Sequence, residues 1–159
     1  MSYVENNLMP GEYVAHQGTI HWFIFVPGAA FFLIGLSLSG SEVPGLGGLI
    51  IFLSLFSLLK ALFTYIGTEL AVTNKRVIAK TGLIRRNTIE LNHAKVESFN
   101  VDQGIMGRIF GFGTVTVNGT GGVRTPIRAI CEPLEFRRKA IEQMEEAQPA
   151  GQVALATAS

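Results

Sequence analysis

The amino-acid sequence predicts a membrane-anchored α+β protein, with an N-terminal transmembrane helical hairpin followed by a strongly bent antiparallel β-sandwich or barrel capped by a C-terminal α-helix. Three observations carry this. Two long apolar runs fall within the first 66 residues, all 13 Lys and Arg residues lie at or after position 60, and from Thr68 onward the chain breaks into short β-type runs separated by turn residues. A chain of 159 residues with a mean hydropathy of +0.35 is short for two soluble domains and unusually apolar for one.

The first apolar run, HWFIFVPGAAFFLIGLSLS over 21–39, holds nineteen residues without Lys, Arg, Asp or Glu. As a helix it would reach about 28 Å, close to the hydrocarbon thickness of a bilayer. A cleaved signal peptide needs a positively charged start and a small-residue cleavage site, and residues 1–20 contain no Lys or Arg, so that reading is set aside and residues 1–20 are expected as an N-terminal segment, cytoplasmic by the two-span topology that follows. The second run begins near Val43 and continues past Lys60 to about position 66, which gives a hairpin over 21–66 with spans at about 21–39 and 45–66. Lys60 then sits about a turn and a half inside the second span and is expected to snorkel to the interface. The link between the spans carries only Glu42, so the basic residues place everything after the second span on the cytoplasmic side of a bacterial inner membrane. Two spans return the N-terminus to that side and bring Trp22 and Tyr65 together as aromatic interface anchors. Small residues at Gly28, Gly35, Ser37, Ser39, Gly47 and Gly48 permit close approach of the two helices.

The cytoplasmic part, expected over 67–146, reads as ELAVT, RVIAK, LIRRNTIEL, AKVESFNV, GTVTVNG and GVRTPIRAI, six strands with turns every eight to twelve residues. Only the run 114–118 alternates cleanly; Arg85 and Asn87 share a face with Ile89 and Leu91, and Phe99 is out of step with Val96, which a bulge or bend would repair. In DQGIMGRIFGFG, Ile105, Met106, Ile109 and Phe110 recur at roughly helical spacing. The preferred reading is a helical turn plugging the open end of the sheet; the alternative makes Ile109 and Phe110 an apolar wedge in the membrane interface. Pro133 opens the helix PLEFRRKAIEQMEEA, with Phe136, Ala140, Ile141 and Met144 on one face. Residues 147–159 are small and polar enough to be expected as a flexible tail.

The segment ELAVTNKRVIAKTGLIRRNTIELNHAKVESFNVDQGIMGRIFGFGTVTVNGTGG, followed by a helix opening with Pro, resembles the bacterial pleckstrin-homology (PH)-like domains of small membrane proteins. The resemblance covers about residues 66–145, and the preceding pair of transmembrane helices is also typical of that family. TNKRVI, the hairpin at Gly82, the VES run and GRIFGFGTV are its most specific elements. It implies a seven-stranded, strongly bent sheet closed by a C-terminal helix, and it brings no catalytic residues.

No catalytic, metal or cofactor set is expected from the residues themselves. His16, His21 and His93 are not spaced as ligands and read as solvated side chains, and Cys131, the only cysteine, has no thiol partner. Residues 60–159 carry thirteen basic and nine acidic groups, too small a surplus for a nucleic-acid surface. The dense feature is a basic strip, Lys75, Arg76, Lys80, Arg85 and Arg86, five cations without an acid between 71 and 86. It follows the membrane exit closely, so it reads as an anionic-lipid contact, specific or general, or as a solvated sheet face. The expected function is a non-enzymatic scaffold at the inner membrane face, with membrane lipids, protein partners and self-association as its contacts and no small-molecule substrate. The alternative is an anionic-lipid or envelope-stress sensor; a transporter or membrane-enzyme subunit has the least support.

Overall fold

A computed structural model describes residues 3–84 and 86–147. A short helix α1 (Tyr3–Asn6) precedes strand β1 (Val14–Gly18), and a 3-10 turn (Trp22–Phe25) leads into α2 (Val26–Ser39) and then α3 (Pro44–Gly67). The remainder runs β2 (Glu69–Thr73), β3 (Arg76–Thr81), β4 (Asn87–Asn92), β5 (Val96–Asp102), α4 (Ile105–Phe110), β6 (Phe112–Gly119), β7 (Val123–Cys131) and α5 (Pro133–Ala147). Two antiparallel sheets result, β1-β2-β3-β4 and β5-β6-β7.

The seventh strand is β1, drawn from the segment that the sequence left outside the domain. It pairs with β2 in the register Gly18↔Leu70 and Gln17↔Ala71. The chain therefore leaves the sheet at Gly18 and re-enters it one strand over at Glu69, and the helical hairpin is an insertion between two neighbouring strands. The exit is stitched to the second sheet: Ile20 bridges Ile130, the His21 amide donates to the Ala129 carbonyl at 2.6 Å, and the Cys131 amide donates to Thr19 at 2.9 Å. Seven strands and a closing helix match what the resemblance implies, while the boundary at residue 67 becomes a second entry of the chain into one folded unit.

Burial explains why the early strands do not alternate. Leu70, Val72, Val77 and Ala79 face the sandwich interior with Val115, Val117, Ile127 and Ile130. The opposite face of the same strands is also covered, because Val4, Leu8 and Val14 pack over Ala71 and Ile78. Strands buried on both sides read as continuous apolar runs. The mismatch between Val96 and Phe99 is a bulge, a register shift between Val96 and Ser98 that turns both side chains inward. Of the other mismatch, Asn87 stays on the face of Ile89 and Leu91 but is the exposed first residue of β4, and Arg85 lies outside the described residues.

The core plug is α5, not the segment 105–110. Phe136 and Ala140 are fully buried in the sandwich, so no space is left for α4. Ile105, Met106, Ile109 and Phe110 are exposed, which corrects the preferred expectation. All of the expected tail except Ala147 lies outside the described residues.

Helices α2 and α3 pack through their glycines. A β-carbon at Gly28 would stand 2.7 Å from Leu58, one at Gly35 would stand 2.8 Å from Ile51, and one at Gly47 would overlap the Ser39 amide, whereas one at Gly48 meets nothing. Away from this seam the hairpin shows apolar side chains outward, Leu33, Phe52 and Phe56 being 65%, 69% and 68% exposed. Helices in the core of a soluble protein are mostly buried; here only 11% and 17% of the two apolar windows are. Both are long and apolar enough to cross a membrane.

Candidate functional site

The basic strip does not form one surface. Successive residues of β3 point to opposite faces, so Arg76, Ile78 and Lys80 share the side that residues 3–12 cover. Arg76 is 6% exposed and holds Glu12 with two nitrogens at 2.9 Å each, while its third reaches Glu90 and its Nη2 also donates to the Asn7 carbonyl. Lys80 is 8% exposed, pairs with Glu69 at 3.0 Å and sits 5.1 Å from the centre of the Tyr3 ring. Both charges are neutralised inside the protein. They fasten the N-terminal segment to the sheet, aided by Glu69 accepting from the Tyr3 and Val4 amides. Burial alone would raise the Glu12 carboxyl, but hydrogen bonds from the Met9 amide, Arg76 and Thr73, with the charge of Arg76, outweigh it and hold the pKa below its ordinary value.

Lys75 and Arg86 are the exposed members of the strip among the described residues, and they lie at opposite ends. Lys75 occupies the β2–β3 turn, about 17 Å along β2 from the end of α3, with its amine on the Pro10 carbonyl at 2.8 Å. Arg86 lies in the β3–β4 connection, at the hairpin end.

That hairpin end gathers the other expected contacts. Trp22 and Tyr65 are 58% and 44% exposed. The Tyr65 ring lies 5.6 Å from Phe25, and Phe23 stacks on Phe112 at 4.6 Å and approaches Phe110 at 5.1 Å. Phe23, in the turn that leads into α2, sets α4 beside the start of the hairpin through its contact with Phe110, with Gly111 at φ 75° ending the helix in the left-handed conformation glycine favours. Exposed Ile105 and Ile109, at 80% and 69%, therefore project near the level where the hairpin leaves the domain.

Sequence reasoning missed one feature here. A recess of about 430 Å³ opens between α3, the loop after β3, and β7, and its lining includes Lys60, Thr68, Thr81 and Arg128 with Phe63 and Leu83. No acid lines it. A second recess shares Thr81 and Gly82 and adds Arg86. Lys60 and Arg128 are 68 positions apart, so only the fold brings them together.

Of the three histidines, His93 is buried, which corrects its reading as solvated, and His16 and His21 are half-buried. His93 donates from Nε2 to the Thr73 carbonyl at 2.8 Å, His21 accepts from the Phe23 amide at Nδ1, and His16 lies 5.6 Å from the Phe136 ring. Among the described residues no three His, Cys, Asp or Glu side chains gather as a metal set.

Four plus three antiparallel strands, closed by a C-terminal helix that fills the sandwich, define the PH-like class, whose members generally bind lipids or proteins and are generally not catalysts. The family model described as Bacterial PH domain matches residues 23–144, and the chain belongs to that family. No curated protein and no solved structure matches it.

Proposed function

We propose that the chain is a membrane-anchored binding module, in which the hairpin crosses the inner membrane and holds the PH domain against its cytoplasmic face as a scaffold for protein assembly. The observation that carries this reading is the pairing of β1 with β2 across the hairpin. Both ends of the inserted helices are fixed in one sheet, so a spanning hairpin leaves the domain no tether length and keeps it at the bilayer surface with both termini on one side. The location of every Lys and Arg at or after residue 60 supports the cytoplasmic side. Exposed Ile105, Ile109 and Phe110 suit the interface beside Trp22 and Tyr65 better than water.

For protein partners the available feature is a sheet edge. No strand among the described residues pairs with the outer side of β4, and an unpaired edge can accept a strand from another copy or another protein. A photoreactive residue placed at Asn87 or Asn92, the exposed ends of β4, in the full chain in native membranes should give discrete protein adducts that the same probe at Gly121 does not. Equal adducts at all three positions would overturn the scaffold reading. The lipid reading keeps one specific support, the cations at the hairpin end that have no ion pair among the described residues.

A further inference from the structure

Lys60 is a cation within an apolar helix, about 10 Å from the helix end by its rise per residue. An ionisable side chain at such a depth is costly unless an opposite charge meets it. Among the described residues no carboxylate pairs with Lys60 or with Arg128, the other cation of the recess. The hydroxyls of Thr68 and Thr81 also line it and make no hydrogen bond among the described residues, while Thr64 donates to the Lys60 carbonyl at 2.9 Å. The walls are firm: a β-carbon on Gly67 would stand 2.7 Å from the Leu83 amide, so the loop after β3 is packed directly on the end of α3. Phe63, Leu83, Pro126 and Ile127 supply an apolar side.

Two unpaired cations, two free hydroxyls and an apolar wall, open at the base of the hairpin, form a site for a phosphate group attached to something apolar. We propose that this recess binds the headgroup phosphate of an anionic glycerophospholipid from the leaflet that faces the domain. Lys60 and Arg128 supply the charge, Thr68 and Thr81 donate to phosphate oxygens, and Phe63 and Leu83 meet the glycerol and upper acyl chain. Arg86, in the adjoining recess, extends the positive field at the rim. The inference rests on the proposed membrane placement of the hairpin and adds the ligand class and its contacts.

The test uses the full chain in a mild detergent, with native mass spectrometry reading retention of dioctanoyl phosphatidylglycerol, dioctanoyl phosphatidylcholine and inorganic phosphate. The intact chain should retain phosphatidylglycerol in preference to phosphatidylcholine, with inorganic phosphate failing to displace it. Lys60→Gln with Arg128→Gln should weaken retention roughly thirtyfold, at about fivefold per lost cation contact. Lys60→Arg should keep it, and Arg137→Gln with Arg138→Gln, on the exposed side of α5, should leave it unchanged. Displacement by inorganic phosphate would overturn the lipid as the source, and retention indifferent to Lys60 and Arg128 would overturn the site. Carbonate extraction of the same chain from native membranes separates the two readings. A chain that stays in the membrane yet retains no phosphatidylglycerol loses only the recess, whereas a chain that is extracted loses the anchor as well.

Discussion

At the scale of residues, the cluster around Arg76 shows why a dense run of basic residues was a poor guide to a surface. Lys75 and Arg76 are adjacent in sequence, yet the first is exposed in a turn and the second is buried against Glu12 and Glu90. The acids that neutralise the strip are Glu12, 64 positions upstream of Arg76, Glu90 in the next strand and Glu69 in the strand before, and no local pattern of charge reveals these pairings. Glu12→Gln leaves Arg76 with only Glu90, which is 35% exposed, so an under-compensated buried charge should cost about 3 kcal/mol, read as a lower midpoint in denaturant. Its pH dependence has a definite sign. Because the Glu12 pKa is lowered from 4.5 in the folded chain, the unfolded state binds more protons in that range. The contribution is complete above the unfolded value and is lost as pH falls through the folded one. Glu12→Gln should therefore flatten part of the acid limb of a stability–pH curve; an unchanged limb would contradict the bonding assigned to Glu12.

Among the elements, the hairpin was the most legible, whereas for α4 the helix was legible and its place in the fold was not. Composition alone identifies an apolar helix, since nineteen residues without a charge need no tertiary context. The small residues were correctly placed as a group, but which of them sit in the seam depends on helix phase: Gly28, Gly35 and Gly47 do, and Gly48 does not. Gly47→Leu should force the helices apart at a cost of about 1–3 kcal/mol and lower the thermal midpoint of the detergent-solubilised chain, with Gly48→Leu leaving it unchanged. Equal effects would contradict the packing. In α4 the apolar spacing was read correctly as helical, but apolarity cannot say whether a face meets a core or a lipid interface. Phe136, from a helix that follows 23 residues later, had already filled the core.

For the whole molecule, the unexpected property is connectivity. VAHQG is too short and too weakly patterned to be read as a strand, and its partner β2 lies beyond the hairpin, so β1 becomes visible only in the sheet. The recess was hidden for the same reason, since Lys60 and Arg128 are distant in sequence. What was legible, the six later strands and the closing helix, is local; what was not comes from contacts made across the inserted hairpin. The central claim is that one complete PH domain carries its membrane anchor as an insertion. It is tested most directly by excision, joining residues 1–21 to 68–147 through a short Gly-Ser loop and comparing the product with the full chain and with residues 68–147 alone. The full chain should resist carbonate extraction, the excised chain should be soluble, monodisperse and cooperative in unfolding, and the fragment lacking β1 should lose cooperative unfolding. A full chain released by carbonate, or a fragment 68–147 as stable as the excised chain, would contradict the account.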